Sequence, residues 1–243
     1  MTKRADVALV ERGHYPSRAK AREAIEAGLV IVDGKPVRKP SEPISDEAQI
    51  DATAPYPWVS RGGLKLAAAL DHFGIDPQGK VCLDVGASTG GFTDVLLSRG
   101  AAHVFAVDVG HSQLHPRIAG DGRVTSLEGT DARGLTPDLF GAFGAPSLCV
   151  FDVSFISLKL VMPPALAVCG PEAVCVALIK PQFEAGRDAT RKGIVRDAQI
   201  HRRVCEEISM LIKDLGWRSL GLIPSPIEGG DGNREFLIGA QKV

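Results

Sequence analysis

Short apolar runs recur through the last three quarters of the chain, most of them ending in a polar or ionisable residue. They are Val81-Cys82-Leu83-Asp84-Val85, His103 to Asp108, Val124 to Gly129, Leu148-Cys149-Val150-Phe151-Asp152, and Ala173 to Lys180. Runs this short and this continuous suit parallel strands covered on both faces. Leu64 to Leu70 and Asp197 to Leu215 read as helices, the second carrying Ile200, Val204, Ile208 and Leu211 on one face. Leu220 to Pro224 and Phe236 to Ala240 complete the set of strands. Strands alternating with helices predict an α/β fold with a doubly wound, mostly parallel sheet. Such sheets bind ligands at the carboxyl ends of their strands, where these runs place their polar residues.

The first fifty residues follow a different pattern. Arg4 to Arg12 predicts a short helix, broken by Gly13-His14-Tyr15-Pro16. Ser17 is placed to cap a second helix, Arg18 to Ala27, which Gly28 stops. Leu29 to Val32, the turn Asp33-Gly34 and Lys35 to Arg38 read as a hairpin, and Gln49 to Asp51 as a further strand. These elements predict a small α+β domain over residues 1–53. Residues 54–59, with Pro55, Tyr56, Pro57 and Trp58, read as a semi-rigid linker, and residues 60–243 as the α/β domain. Tyr56 and Trp58 have the chemistry to stack on bases, but packing at a domain junction is the commoner use of such residues.

Composition sharpens this division. With 44% hydrophobic and 23% charged residues and a formal charge of −1, the chain is ordinary for a globular protein and is not a globally basic nucleic-acid binder. Residues 1–40 nevertheless carry nine Lys and Arg against five Asp and Glu, a local +4, and this asymmetry points to an anionic partner for that segment. The five cysteines, Cys82, Cys149, Cys169, Cys175 and Cys205, are odd in number and lack a C-x-x-C pair. They predict buried free thiols in a reducing cytoplasm and neither a zinc site nor a disulfide frame. Leu160 to Ile179 is long and apolar enough to test as a membrane span. Pro163, Pro164, Gly170 and Pro171 divide it instead into a helix, a turn and a strand. No membrane partner and no metal are expected.

The candidate chemistry begins after the first buried strand. Gly86, Ala87, Ser88, Thr89, Gly90, Gly91 and Phe92 form a glycine-rich turn into a helix, which Ser88 or Thr89 could cap. Asp84 could order this turn or meet a ligand's amino group. Asp108 lies about 20 residues further on, where open α/β sheets place a carboxylate against ribose hydroxyls. Asp131 could accept from an adenine amino group or cap a helix. The spacing D-x-G-x-x-x-G-G departs from the dinucleotide pattern and resembles the S-adenosylmethionine (SAM) loop of Rossmann-like class I methyltransferases.

Four further ionisable residues stand out: Lys65, Asp152, Lys180 and Glu235. A ribose 2′-hydroxyl is a poor nucleophile and must be held in line and relieved of its proton. Two lysines and two carboxylates can do this: the acids orient, and like-charged neighbours depress a lysine's pKa. These four residues resemble the K-D-K-E tetrad of FtsJ-like ribose 2′-O-methyltransferases. R-G-G-x-K-L, D-V-G-A-S-T-G-G-F-T, D-V-S-F-I-S-L, K-P-Q-F-E and G-N-R-E-F-L are similar to the TlyA (haemolysin A) family throughout. Ser17 to Lys35 resembles an S4 RNA-binding domain. The resemblance implies SAM as methyl donor and ribosomal RNA cytidines as targets, in both ribosomal subunits. It also implies Lys180 as general base and Asp152 orienting it and the donor. Lys65 would position the ribose or phosphate, and Glu235 would fix the lysines. RNA would meet Arg4, Arg18, Lys20, Arg22, Lys35 and Arg38. Rival readings are an RNA-binding assembly factor without catalysis, a membrane-active haemolysin and a base methyltransferase. The intact tetrad and the broken apolar segment argue against the first two. The third lacks the N-P-P-Y-like or cysteine-based site it needs.

Overall fold

The computed structural model describes residues 2–186, 189–190, 193–230 and 232–243. It divides into two compact units, Met1–Pro57 and Trp58–Val243.

The first unit opens with β1 (Thr2–Arg4), which runs directly into α1 (Ala5–Glu11). Arg4 is therefore extended and not the first residue of a helix. The reason lies forty residues away, where β4 (Pro43–Ser45) pairs antiparallel with β1, a partner the local pattern does not reveal. Helix α2 (Arg18–Glu26) starts at Ser17, whose hydroxyl accepts from the Lys20 amide at 3.3 Å. Then come β2 (Val30–Val32) and β3 (Lys35–Pro36), joined at Asp33-Gly34; β4 follows, and then β5 (Ile50–Ala52), which lies on the other side of β2. Leu9, Ala21, Ala24, Ile25, Val30 and Ile44 are buried together and form a separate small core. Tyr56 is buried in this unit, its hydroxyl donating to Glu23 at 2.9 Å and accepting from Lys20.

The second unit is built on seven strands. In chain order they and their helices are α3 (Gly62–Phe73), β6 (Val81–Val85), α4 (Gly91–Ser98), β7 (His103–Asp108), α5 (Pro116–Ala119), β8 (Val124–Glu128), β9 (Leu148–Phe151), α6 (Leu158–Ala167), β10 (Val174–Ile179), α7 (Pro181–Glu184), α8 (Ala198–Asp214), β11 (Trp217–Pro224) and β12 (Phe236–Lys242). The sheet order is β11-β12-β10-β9-β6-β7-β8. Strands β10, β9, β6, β7 and β8 are parallel, and β12 and β11 are antiparallel additions. The chain leaves β6 toward β8 and then returns to its other side with β9. That reversal opens a crevice at the carboxyl ends of β6 and β9.

Apolar side chains cover both faces of the sheet in two clusters, one around Phe105, Phe151, Leu158 and Ile208, the other around Leu66, Leu70, Leu96 and Val176. Strand β11 begins at Trp217, three residues before the expected start, because the buried Trp217 already pairs with Lys242. In α8 the buried positions are Val204, Ile208 and Ile212, with His201 and Cys205 nearly so, while Ile200 and Leu211 flank them. All five cysteines are buried and free, and burial pushes the Cys82 thiol up to about 12. Helix α6 runs through Pro163 and Pro164 and stops before the Gly170-Pro171 turn. Among the described residues no helix is long and apolar enough to cross a membrane.

Candidate active site

Strands β9 and β10 are parallel neighbours with Phe151 opposite Ala177, and β10 runs further, so Lys180 leaves the sheet two residues beyond the level of Asp152, opposite Ser154. Lys180 Nζ lies 2.6 Å from Asp152 Oδ1 and donates to Ser154 Oγ at 2.8 Å. Lys65 comes from the first turn of α3 and Glu235 from the residue before β12. They meet at 2.5 Å, with side chains only 8% and 3% exposed. The four residues thus form two ion pairs across a sequence separation that reaches 170 residues. Lys65 is buried although it lies in the first turn of a helix. All four line one cleft of about 430 Å³, which also holds Gly86 to Thr89, Gly91, Phe92 and Ser154.

The glycine turn forms the floor of that cleft. Gly86 has φ +86°, and a Cβ there would stand 2.6 Å from the Asp152 carbonyl oxygen. Only glycine lets the loop lie this close to β9. Gly90, at φ +91°, is the N-cap of α4, and no side chain caps that helix. This corrects the expectation that Ser88 or Thr89 does so: the left-handed turn at Gly90 leaves both exposed on the cleft side. Gly90 thus offers no side chain to the first amides of α4, and the Thr93 amide faces the Asp84 carboxylate instead.

Asp84 is fully buried. One oxygen accepts from Thr93 Oγ1 at 2.7 Å, tying β6 to α4, and the other has no partner. Burial, helped by the nearby Asp152 and Asp108 charges, pushes its carboxyl up to about 7.

A second cavity of about 570 Å³ adjoins the first and shares Gly86, Ser88, Asp152, Ser154 and Phe155 with it. Asp108 and Asp131 line it, with Val109, Ile156 and Val161 as apolar wall. Asp108 accepts from the Ser88 amide at 2.8 Å and the Gly110 amide at 2.7 Å, so it links two loops at the rim. Asp131 caps a short 3₁₀ turn, accepting from Arg133 N at 2.9 Å, and the Arg133 side chain pairs with it. Of the two roles open to Asp131 from sequence, the cap is the one the geometry displays.

Several residues at the site escaped sequence reasoning. Ser154 holds Lys180. Phe155 is 91% exposed with φ +64°, and its ring lies 5.1 Å from that of Phe183; both line the cleft. Glu128 accepts from three successive amides, Ser112, Gln113 and Leu114, and so holds the loop beside the second cavity. The only sequence signal for these is proximity to strand ends.

In the first unit, Arg4, Arg18 and Arg22 converge on Asp6. Lys20 lies over the Tyr56 ring and beside Glu23. Lys35 and Arg38 are exposed on the hairpin.

Comparison with known proteins agrees with this geometry. Residues 58–242 match the FtsJ-like methyltransferase family and residues 3–50 the S4 domain. The chain is 45% identical over 238 residues to the 16S/23S rRNA (cytidine-2′-O)-methyltransferase TlyA of Mycobacterium tuberculosis, covering 97% of this chain and 88% of that protein. It is 40% identical to Hemolysin A of Brachyspira hyodysenteriae, over 96% of this chain and 98% of that one. A solved structure from Streptococcus thermophilus that bears a hemolysin name matches with a TM-score of 0.78 and 42% identity, over the whole of this chain and 89% of its own. The chain belongs to the FtsJ-like methyltransferase family, in the TlyA group that carries an S4 domain ahead of the methyltransferase domain.

Proposed function

We infer that this protein methylates the ribose 2′-hydroxyl of cytidines in ribosomal RNA, in both subunits, with SAM as donor. The observation that carries the reading is the meeting of Lys65, Asp152, Lys180 and Glu235 in one cleft against the glycine turn.

The residues present fit the donor. Gly86 and Gly91 line the cleft with backbone alone, Gly90 at the start of α4 offers no side-chain cap, and Asp84 keeps one buried oxygen without a partner. Asp84, Gly86, Ala87, Ser88, Thr89, Gly90, Gly91 and Phe92 would hold its amino-acid end. Asp108 and Asp131, with the apolar wall of the second cavity, would hold its nucleoside. When bound, SAM supplies a sulfonium methyl open to an oxygen nucleophile.

The chain's own task is to orient the ribose and remove its proton. In this reading Lys180 gives up its ammonium proton before the step, and its neutral Nζ then accepts the 2′-hydroxyl proton, with Asp152 and Ser154 fixing the amine's direction. Lys65, held by Glu235, positions the ribose or its phosphate. The Lys65–Glu235 pair is buried, which keeps water from competing for its hydrogen bond. Arg4, Arg18, Lys20, Arg22, Lys35 and Arg38 would engage RNA phosphates.

The test is methyl transfer from labelled SAM to isolated ribosomal subunits and to free rRNA, with the position mapped by ribose-specific primer-extension stops. Label on a 2′-hydroxyl, reduced about 10²–10⁴-fold in Lys180→Ala, is the expected result. Label on a nucleobase would retain the fold and overturn the tetrad's role.

A further inference from the structure

The arginines of the first unit do not act as independent surface charges. Asp6, in the first turn of α1, has no exposed surface, yet all three arginines around it are open to solvent. Arg4 Nε donates to Asp6 Oδ1 at 3.0 Å. The Nε of Arg18 and of Arg22 donate to Oδ2 at 3.2 and 3.1 Å. Each guanidinium adds its Nη2 on the same carboxylate, at 3.3, 2.9 and 3.1 Å. That leaves Nη1 of all three without a part in these contacts, and the side chains are 47, 53 and 48% exposed.

The chain brings these groups from two elements. Arg4 ends β1, while Arg18 and Arg22 lie one turn apart on α2. Three guanidinium groups would repel one another if brought together without an anion. One buried carboxylate offsets that repulsion and fixes the planar forks, leaving the cluster at +2 (three cations against one anion). The arginine hydrogen bonds, Arg4's first, hold the Asp6 carboxyl far below the ordinary carboxylate range, so it stays ionised at any working pH.

We propose that Asp6 is a positioning residue that gathers Arg4, Arg18 and Arg22 into one preformed cluster for adjacent phosphates of an RNA backbone. This rests on the reading of the first unit as an RNA-binding domain. Arginine forks match phosphate oxygens geometrically, and forks fixed in advance lose less entropy on binding than free side chains. A buried negative charge thereby strengthens binding to a polyanion, the reverse of what net charge alone gives.

The experiment uses the full chain and measures affinity for isolated ribosomal subunits over a salt series. It compares wild type, Asp6→Asn and the triple variant Arg4→Gln, Arg18→Gln, Arg22→Gln. The thermal transition and the amide NMR spectrum of the first unit report that each variant is folded there, and SAM affinity reports the second unit. Asp6→Asn adds one positive charge, yet the expectation is binding weaker by about tenfold, with a salt slope lower by about one to two. The triple variant loses more. Binding as tight as wild type or tighter in Asp6→Asn, with loss in the triple variant, overturns the gathering role alone. Unchanged binding in the triple variant overturns the RNA-face reading itself.

If Asp6→Asn does not fold, arginine side-chain NMR of the wild type decides. Three Nε–H signals with slowed water exchange, moving together when an RNA hairpin is added, support the cluster. Rapidly exchanging, averaged signals overturn it.

Discussion

Asp6 in the first unit and Glu235 in the second are both buried carboxylates, and they keep opposite company. Asp6 holds three arginines that remain about half exposed, whereas Glu235 holds one lysine as buried as itself. The first arrangement hides the anion and displays the cations, as suits a surface that must meet a diffusing polyanion and release counterions. The second hides both charges, as suits a pair that holds a side chain in one fixed direction at the edge of a cleft. Burial of a carboxylate therefore identifies neither role; the exposure of its partner does.

The largest effect expected from breaking this contrast is in the second unit. Glu235→Gln leaves the Lys65 ammonium buried without its anion, which costs about 3–5 kcal/mol when a buried pair is split. Denaturant unfolding of the second unit should show that loss, together with a fall in methyl transfer. Replacing both partners, Lys65→Met with Glu235→Leu, should recover much of the stability and none of the activity. If Glu235→Gln unfolds like wild type, the pair is solvated and the contrast with Asp6 disappears.

Asp84 is a third case, buried with no cationic partner among the described residues and with its carboxyl raised to about 7. That lies above the ordinary aspartate value of 3.8, so between about pH 4 and pH 7 the native state keeps a proton the unfolded chain has lost. Stability from this group is full below pH 4 and falls as pH rises through 7. Asp84→Asn keeps an acceptor for Thr93 and removes the ionisation. It should gain on wild type by up to a few kcal/mol between pH 5 and pH 8, measured by unfolding at both. SAM affinity should fall, because the unpartnered oxygen would be exchanged for an amide. A pH dependence identical to wild type would mean that another group carries the slope.

Smaller again is Gly86→Ala, which adds one methyl where the glycine turn meets the Asp152 carbonyl. A left-handed alanine costs about 1–2 kcal/mol, and the contact forces the turn or β9 to move. Weaker SAM binding by calorimetry, with a lower thermal transition, is the expected outcome. Unaltered SAM affinity would separate the cradle from the donor.

Much of the second unit was legible because its strands are continuous apolar runs whose ends carry the chemistry. Asp152 and Lys180 follow such runs directly, and adjacent parallel strands place both at the same end of the sheet, two residues apart in register, where their side chains reach each other. Lys65 and Glu235 were legible as members of a pattern but not as a pair, since 170 residues separate them and only the folded sheet joins them. The first unit was less legible. Its β1 exists because Pro43–Ser45 pairs with it, and that partner is too short to show in local periodicity. Asp6 had no signal at all: an aspartate among arginines reads as surface charge until its burial is seen. The absence of a side-chain cap on α4 was hidden in the same way, by a conformation at Gly90 that sequence allows without announcing it.

The smallest stability effect belongs to Arg18→Ala. Its side chain is 53% exposed, and Asp6 retains Arg4 and Arg22 when it is lost. A half-exposed ion pair in contact with solvent contributes about 0–1 kcal/mol, so the unfolding transition should scarcely move. Binding to ribosomal subunits should nevertheless weaken, and the salt slope should drop by about one, since one phosphate contact is gone. Stability and affinity thus separate in the first unit and fall together in the second. If Arg18→Ala destabilises the chain as much as Glu235→Gln, the two carboxylates do the same structural work. The open arginines would then belong to the core of the first unit and not to its binding surface.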